Sequence, residues 1–142
     1  MKKLFRTFIA VAVIGSIATL ASCTKTCDAG FEGDKCDVEI RAKFLGAYAG
    51  NEICTAGSDN YTLTVANSGT DILKITLSNV YGSAFTASAS VDGSSFTVPS
   101  QTVAVGVTVS GSGTVTGNNL TFTYNINDGT NSNNCTFTGA KL

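Results

Sequence analysis

The chain has 142 residues, of which 43% are hydrophobic and only 13% charged, with 9 Lys and Arg against 10 Asp and Glu. That balance excludes a nucleic-acid binder, which needs a basic surface. The chain holds no His and no Trp, so the commonest general base and the commonest metal ligand are both missing.

In chain order, the first element is an address. Lys2, Lys3 and Arg6 form a basic start, Thr7 to Leu20 is uncharged and largely apolar, and the small residues Ala21 and Ser22 follow. This is the layout of a secretory signal, and the apolar stretch is short for a membrane span. Leu20-Ala21-Ser22-Cys23 resembles the bacterial lipobox, a Leu, two small residues and an obligatory Cys. The resemblance implies that residues 1–22 are removed and that Cys23 receives a diacylglyceryl group on sulfur and an acyl chain, such as palmitate, on its new amino group. Two or more chains hold a protein firmly on a bilayer. Without the signal the formal balance falls to six Lys and Arg against ten Asp and Glu, a net −4, which also argues against a polybasic membrane patch.

Residues 24–43 are dense in charge, with nine charged side chains, whereas residues 44–142 carry only seven. This sets a boundary: 1–22 signal, 23–43 lipidated cysteine with hairpin and linker, 44–142 a β-domain. Cys27-Asp28-Ala29-Gly30-Phe31-Glu32-Gly33-Asp34-Lys35-Cys36 resembles the last hairpin of epidermal-growth-factor-like modules, C-x2-G-[FY]-x-G-x2-C. The cysteines that precede this hairpin in such modules are missing, and Lys25 stands where many have another. The segment is therefore a one-disulfide stub, read as a stapled spacer between lipid and domain. Asp37 to Lys43 suits a short turn or helix.

From residue 44 onward the apolar period is two, the mark of strands with one buried face. A first strand is expected over Leu45–Ile53. Tyr61, Leu63 and Val65 alternate with Thr; Leu73, Ile75 and Leu77, then Phe85, Ala87, Ala89 and Val91, alternate with polar residues. Phe96 and Val98 follow, then the longest run, Val103, Val105, Val107 and Val109. Leu120, Phe122, Tyr124 and Ile126, and finally Cys135 and Phe137, complete the series. Asn67-Ser68-Gly69, Tyr81-Gly82, Asp92-Gly93, Gly117-Asn118-Asn119 and Asp128-Gly129 supply turn chemistry between the runs. This predicts an all-β domain of about eight antiparallel strands in an up-and-down meander, closed as a small barrel, with a β-sandwich as the alternative.

With Cys23 taken by lipid, four cysteines remain, and an even number in an exported chain suggests disulfides. Proximity favours Cys27–Cys36, which leaves Cys54–Cys135. The second pair would join the first and last strands, which are neighbours in a closed meander. A zinc site of the four thiolates lacks the C-x2-C spacing and the reducing compartment, so no metal and no cofactor is expected.

Phe44-Leu45-Gly46-Ala47-Tyr48 resembles the G-x-[WY] opening of lipocalin-like barrels. Taken with the lipobox and the cysteine hairpin, the chain resembles small envelope lipoproteins of Gram-negative bacteria. The resemblance implies lipid anchorage in the cell envelope, at the outer membrane, with the periplasmic or surface face left open, and no established activity. Partners are then the membrane, through Cys23, and an envelope protein or glycan.

No catalytic set is found, so an enzyme is not expected. Asp59, Asp71, Asp92 and Asp128 sit at predicted turns, where a turn role is the ordinary one. Glu52, at the end of the first strand, is the one acid near a predicted strand mouth. Gly111-Ser112-Gly113 lies inside a strand pattern, where glycine permits bending, rather than in a phosphate loop. Tyr48 and Tyr124 are the main polar groups on inward positions. Both read first as core tyrosines with one hydrogen bond and second as ligand contacts. The ligand-binding residues of a lipocalin-like module for a small apolar ligand or glycan, the alternative function, stay unassigned.

Overall fold

The computed structural model describes residues 26–142; Cys23 and the signal lie outside the described residues. Two short strands, β1 (Phe31–Glu32) and β2 (Val38–Glu39), pair antiparallel across the Cys27–Cys36 disulfide, whose Cα atoms are 5.2 Å apart. A 3-10 turn over Ile40–Lys43 leads into the barrel.

Eight strands follow: β3 (Gly46–Cys54), β4 (Gly57–Asn67), β5 (Lys74–Val80), β6 (Phe85–Asp92), β7 (Ser95–Ala104), β8 (Val107–Thr116), β9 (Asn119–Asn127) and β10 (Ser132–Lys141). Each pairs antiparallel with its neighbour in sequence, and β10 closes on β3, giving a closed barrel rather than a sandwich. Cys54 and Cys135 are direct register partners across that seam and are bridged, with Cα atoms 4.0 Å apart. That is closer than the 4.4–6.8 Å typical of disulfides, because the two positions face each other within the ladder.

The inward faces follow the sequence pattern. Leu63, Val65, Ile75, Leu77, Ala87, Val98, Val109, Leu120 and Phe137 are buried. A bulge after Ser78, with Asn79 at φ 65°, brings both Leu77 and Val80 inside. Rings form a column up the interior: Phe44 edge-on to Phe96 (5.9 Å between centroids), Phe96 to Phe122 (5.4 Å), and Phe122 stacked on Tyr124 (4.5 Å).

The two ends differ. At one end, the floor, Phe44 is wholly buried and the 3-10 turn lies across the opening. Arg41, itself buried, donates Nη1 to the Asp71 carbonyl (2.9 Å) and Nε to Glu39 (2.7 Å). Lys43 reaches Glu32 of the hairpin at 2.6 Å, and Ile40 N–H donates to the Gly30 carbonyl. Gly30 sits so tightly against Ile72 that a Cβ there would lie 2.7 Å from its Cδ1. The hairpin is thus docked on the floor, more than the plain spacer expected from sequence. The other end, the mouth, is ringed by short links: Thr55–Ala56, residues 81–84, Val105–Gly106 and residues 128–131.

One detail departs from the sequence reading. The run Val103–Val109 is not one strand but the tip of the β7–β8 hairpin. Val105 is fully exposed there beside Gly106 at φ 73°, and β8 instead runs on to Thr116. Gly113 on β8 leaves room for the Phe96 ring, and Gly111 for the close approach of Thr123 and Tyr124 on β9. A Cβ on Gly113 would lie 2.2 Å from Phe96 Cζ, and one on Gly111 would lie 2.5 Å from Tyr124 Cβ.

Candidate functional site

The mouth is the place where polar groups enter the interior. On β3 the inward positions are Tyr48, Gly50, Glu52 and Cys54, so strict alternation delivers an acid to the barrel interior just below the rim. Glu52 is only 3% exposed. Tyr61, from β4, donates its hydroxyl to Glu52 Oε1 at 2.7 Å, and Tyr124, from β9, donates to the same oxygen. A buried carboxylate needs such donors, because an unpaired one costs several kcal/mol (~3–5). Burial, then the bond to Glu52, pushes both hydroxyls well above the usual tyrosine range.

Only one carboxylate oxygen is used in this way. Among the described residues nothing donates to Glu52 Oε2, yet no side-chain oxygen or nitrogen there is both sealed from solvent and unpartnered. Oε2 is therefore not fully sealed, and Glu52 lines a pocket of about 250 Å³ together with Gly57, Ser58 and Asp59.

A second, larger pocket of about 520 Å³ opens beside it, floored by Phe85, Val107 and Ile126 and rimmed by Asp128 and Ser132. Tyr81, Asn133 and Ala56 border both. They are linked: Asn133 Nδ2 donates to the Tyr81 hydroxyl at 3.0 Å, and Ala56 N–H donates to Asn133 Oδ1 at 3.1 Å. Tyr81 has φ 61°, uncommon for a bulky residue, and this conformation sits in the turn that lays its ring across the mouth. Asp128 is turned to local use: its carboxylate accepts N–H from Thr130 (2.9 Å) and Asn131 (2.6 Å), and those bonds hold its carboxyl below the usual range.

The sequence-named residues fall in three places. Glu52 and Tyr124 meet at the mouth. Tyr48 is at the floor, its hydroxyl donating to the Phe44 carbonyl at 2.8 Å with Lys141 over its ring, and is a core tyrosine. Cys54 and Cys135 lie beside Glu52: both sulfurs and a carboxylate oxygen are within 4.8 Å of one another. The sulfurs are spent on their own bond, so no thiolate remains to ligate a metal. Tyr61, Tyr81 and Asn133 were missed as site residues. Asn133 shares the parity of Cys135 and Phe137, which is the signal that could have placed it inside.

The fold and mouth define a small, closed, antiparallel β-barrel with a filled interior and a polar-rimmed cleft at one end. No protein-family model, curated protein or solved structure matches the chain.

Proposed function

We propose that this chain is a lipid-anchored lipoprotein of the Gram-negative cell envelope, fixed to the outer membrane through Cys23, with a structural or interaction role rather than a catalytic one. The observation that carries this reading is the polarity of the domain. The chain enters at the floor, where the disulfide hairpin is stitched to the barrel by Ile40, Arg41 and Lys43. A lipid on Cys23 would therefore hold the floor toward the bilayer and leave the mouth free for an envelope protein or glycan. The outward faces carry Thr, Ser and Asn, where a membrane-spanning barrel carries an apolar band, which supports anchorage by lipid rather than by strands. No helix among the described residues is long and apolar enough to cross a membrane.

The test is metabolic labelling with palmitate of the wild type and of Cys23→Ala, followed by membrane fractionation. Label and membrane association should be lost together in the variant. Equal labelling of both would remove the anchor.

A second reading, a lipocalin-like binding module, is favoured by the mouth pocket of about 520 Å³, within the range of small-ligand sites. The column of rings fills the barrel below, so a ligand would occupy the mouth and not the depth of the barrel.

A further inference from the structure

The charges of the barrel are sorted by end. Among the described residues every Lys and Arg belongs to the hairpin (Lys35), the 3-10 turn (Arg41, Lys43) or a strand end at the floor (Lys74, Lys141). The charged residues at the mouth are Glu52, Asp59 and Asp128, all acidic. Glu52 and Asp59 are direct register partners on β3 and β4, and like charges opposed in this way repel. A mouth of one sign with low-dielectric walls concentrates ions of the other sign.

The second observation is independent of charge counting. Glu52 is only 3% exposed, yet both tyrosine bonds fall on its Oε1 and the residue lines the mouth pocket. The tyrosines fix the carboxylate in place and occupy only Oε1. Beside it, across the Asn133–Tyr81 link, lies an apolar wall of Phe85, Val107 and Ile126.

We infer that the mouth binds a small organic monocation: a protonated amine that donates to Glu52 Oε2, carried on an apolar body that lies against Phe85, Val107 and Ile126. A calcium or magnesium ion fits less well. It would take six or more oxygens, whereas only Glu52 and Asp59 bring carboxylates to that compartment, and the Asp128 carboxylate is engaged by its own turn. The inference deepens the binding reading and is separable from the anchor: a Cys23→Ala chain that loses palmitate and still binds leaves it standing.

The experiment is calorimetric titration of the full chain in a non-ionic detergent with phenethylammonium, its neutral counterpart 2-phenylethanol, the anion 3-phenylpropionate and calcium chloride. Phenethylammonium should bind saturably at one site and at least ten-fold more tightly than the alcohol, and the anion should not bind. Glu52→Gln, which keeps an acceptor for the tyrosines, should weaken the ammonium at least ten-fold. Ala56→Lys places a cation on the exposed rim away from the core and carries the same expectation, so the test survives if Glu52→Gln folds poorly. Equal binding of ammonium and alcohol, unchanged affinity in both variants, or no binding by any probe would overturn the inference. Calcium binding that depends on Glu52 and resists phenethylammonium would replace it with a metal site.

Discussion

Removing the seam disulfide tests how the barrel is held closed. Cys54 and Cys135 are separated by 81 residues in sequence and close nearly the whole barrel into one loop. In the chain-entropy treatment, freeing a loop of that length returns about 4–5 kcal/mol to the unfolded state at 25 °C. Alanine at the wholly buried Cys135 adds about 1 kcal/mol for lost packing. The remaining β3–β10 ladder, from Thr136–Ile53 down to Lys141–Tyr48, keeps the native state closed, so the loss falls mainly on the unfolded side. The double variant Cys54→Ala/Cys135→Ala should therefore lose about 5–6 kcal/mol, a large share of the ~5–15 kcal/mol by which domains are stable. The Cys27–Cys36 bridge spans a separation of only 9 and lies in the docked hairpin. In the same treatment its removal should cost at most about 2.5–3 kcal/mol, roughly half as much, because the freed loop is short. Urea unfolding of both double variants, followed by circular dichroism and extrapolated to water, measures the contrast. If the two pairs cost the same, or the seam pair costs under about 1 kcal/mol, the closure argument fails.

Two other expectations come from the interior. Gly113→Ala would drive a Cβ to 2.2 Å from Phe96 Cζ and 2.5 Å from the Thr121 carbonyl, and should destabilise by about 2–3 kcal/mol through overpacking. Gly117→Ala, in a turn at φ 58° with nothing within 4 Å, should lose only about 1 kcal/mol, and equal losses in denaturant titrations would refute the packing role. Tyr61 and Tyr124 have folded-state pKa values raised by burial and by Glu52, so their stabilisation is complete below the unfolded tyrosine pKa of about 10 and is lost as pH rises beyond it. Stability should fall by about 1.4 kcal/mol per pH unit for buried Tyr124, with a smaller, solvent-screened share from Tyr61. Absorbance titration near 295 nm should show both ionising only as the chain unfolds. Full ionisation of all four tyrosines near pH 10 in folded protein would contradict the buried pair.

The barrel was legible because alternation of Val, Leu and Phe with Thr and Ser requires only one buried face per strand. Consecutive turn signals then left little choice but a meander. The seam followed from Cys54 and Cys135 lying at the ends of the first and last strands. Glu52 could be singled out, but not its partners: Tyr61 and Tyr124 reach it only through a register that the closed sheet sets. Asn133 lay hidden in an Asn-rich run, where polar composition masks an inward position. The tip at Val105 was obscured because valine continued the alternation through the turn, and Gly106 was the only contrary sign. Arg41 gave no signal at all, since what buries it is a pair of backbone carbonyls, Gly69 and Asp71, and carbonyls have no sequence.

The docked hairpin also determines how the domain would bear a mechanical load. A pull on the N-terminus enters at Thr26, crosses the Cys27–Cys36 loop, which cannot lengthen while its bridge is intact, and passes through the 3-10 turn into the floor end of β3. There the force runs along the strand, against pairing with β4 on one side and β10 on the other. Sliding β3 would shear both ladders at once instead of opening them one bond at a time. The far end of the strand is covalently tied to Cys135. A tug from a membrane would thus meet the barrel along a strand held on both sides, and a pull from Leu142 would load β10 in the same way, against β3 and β9.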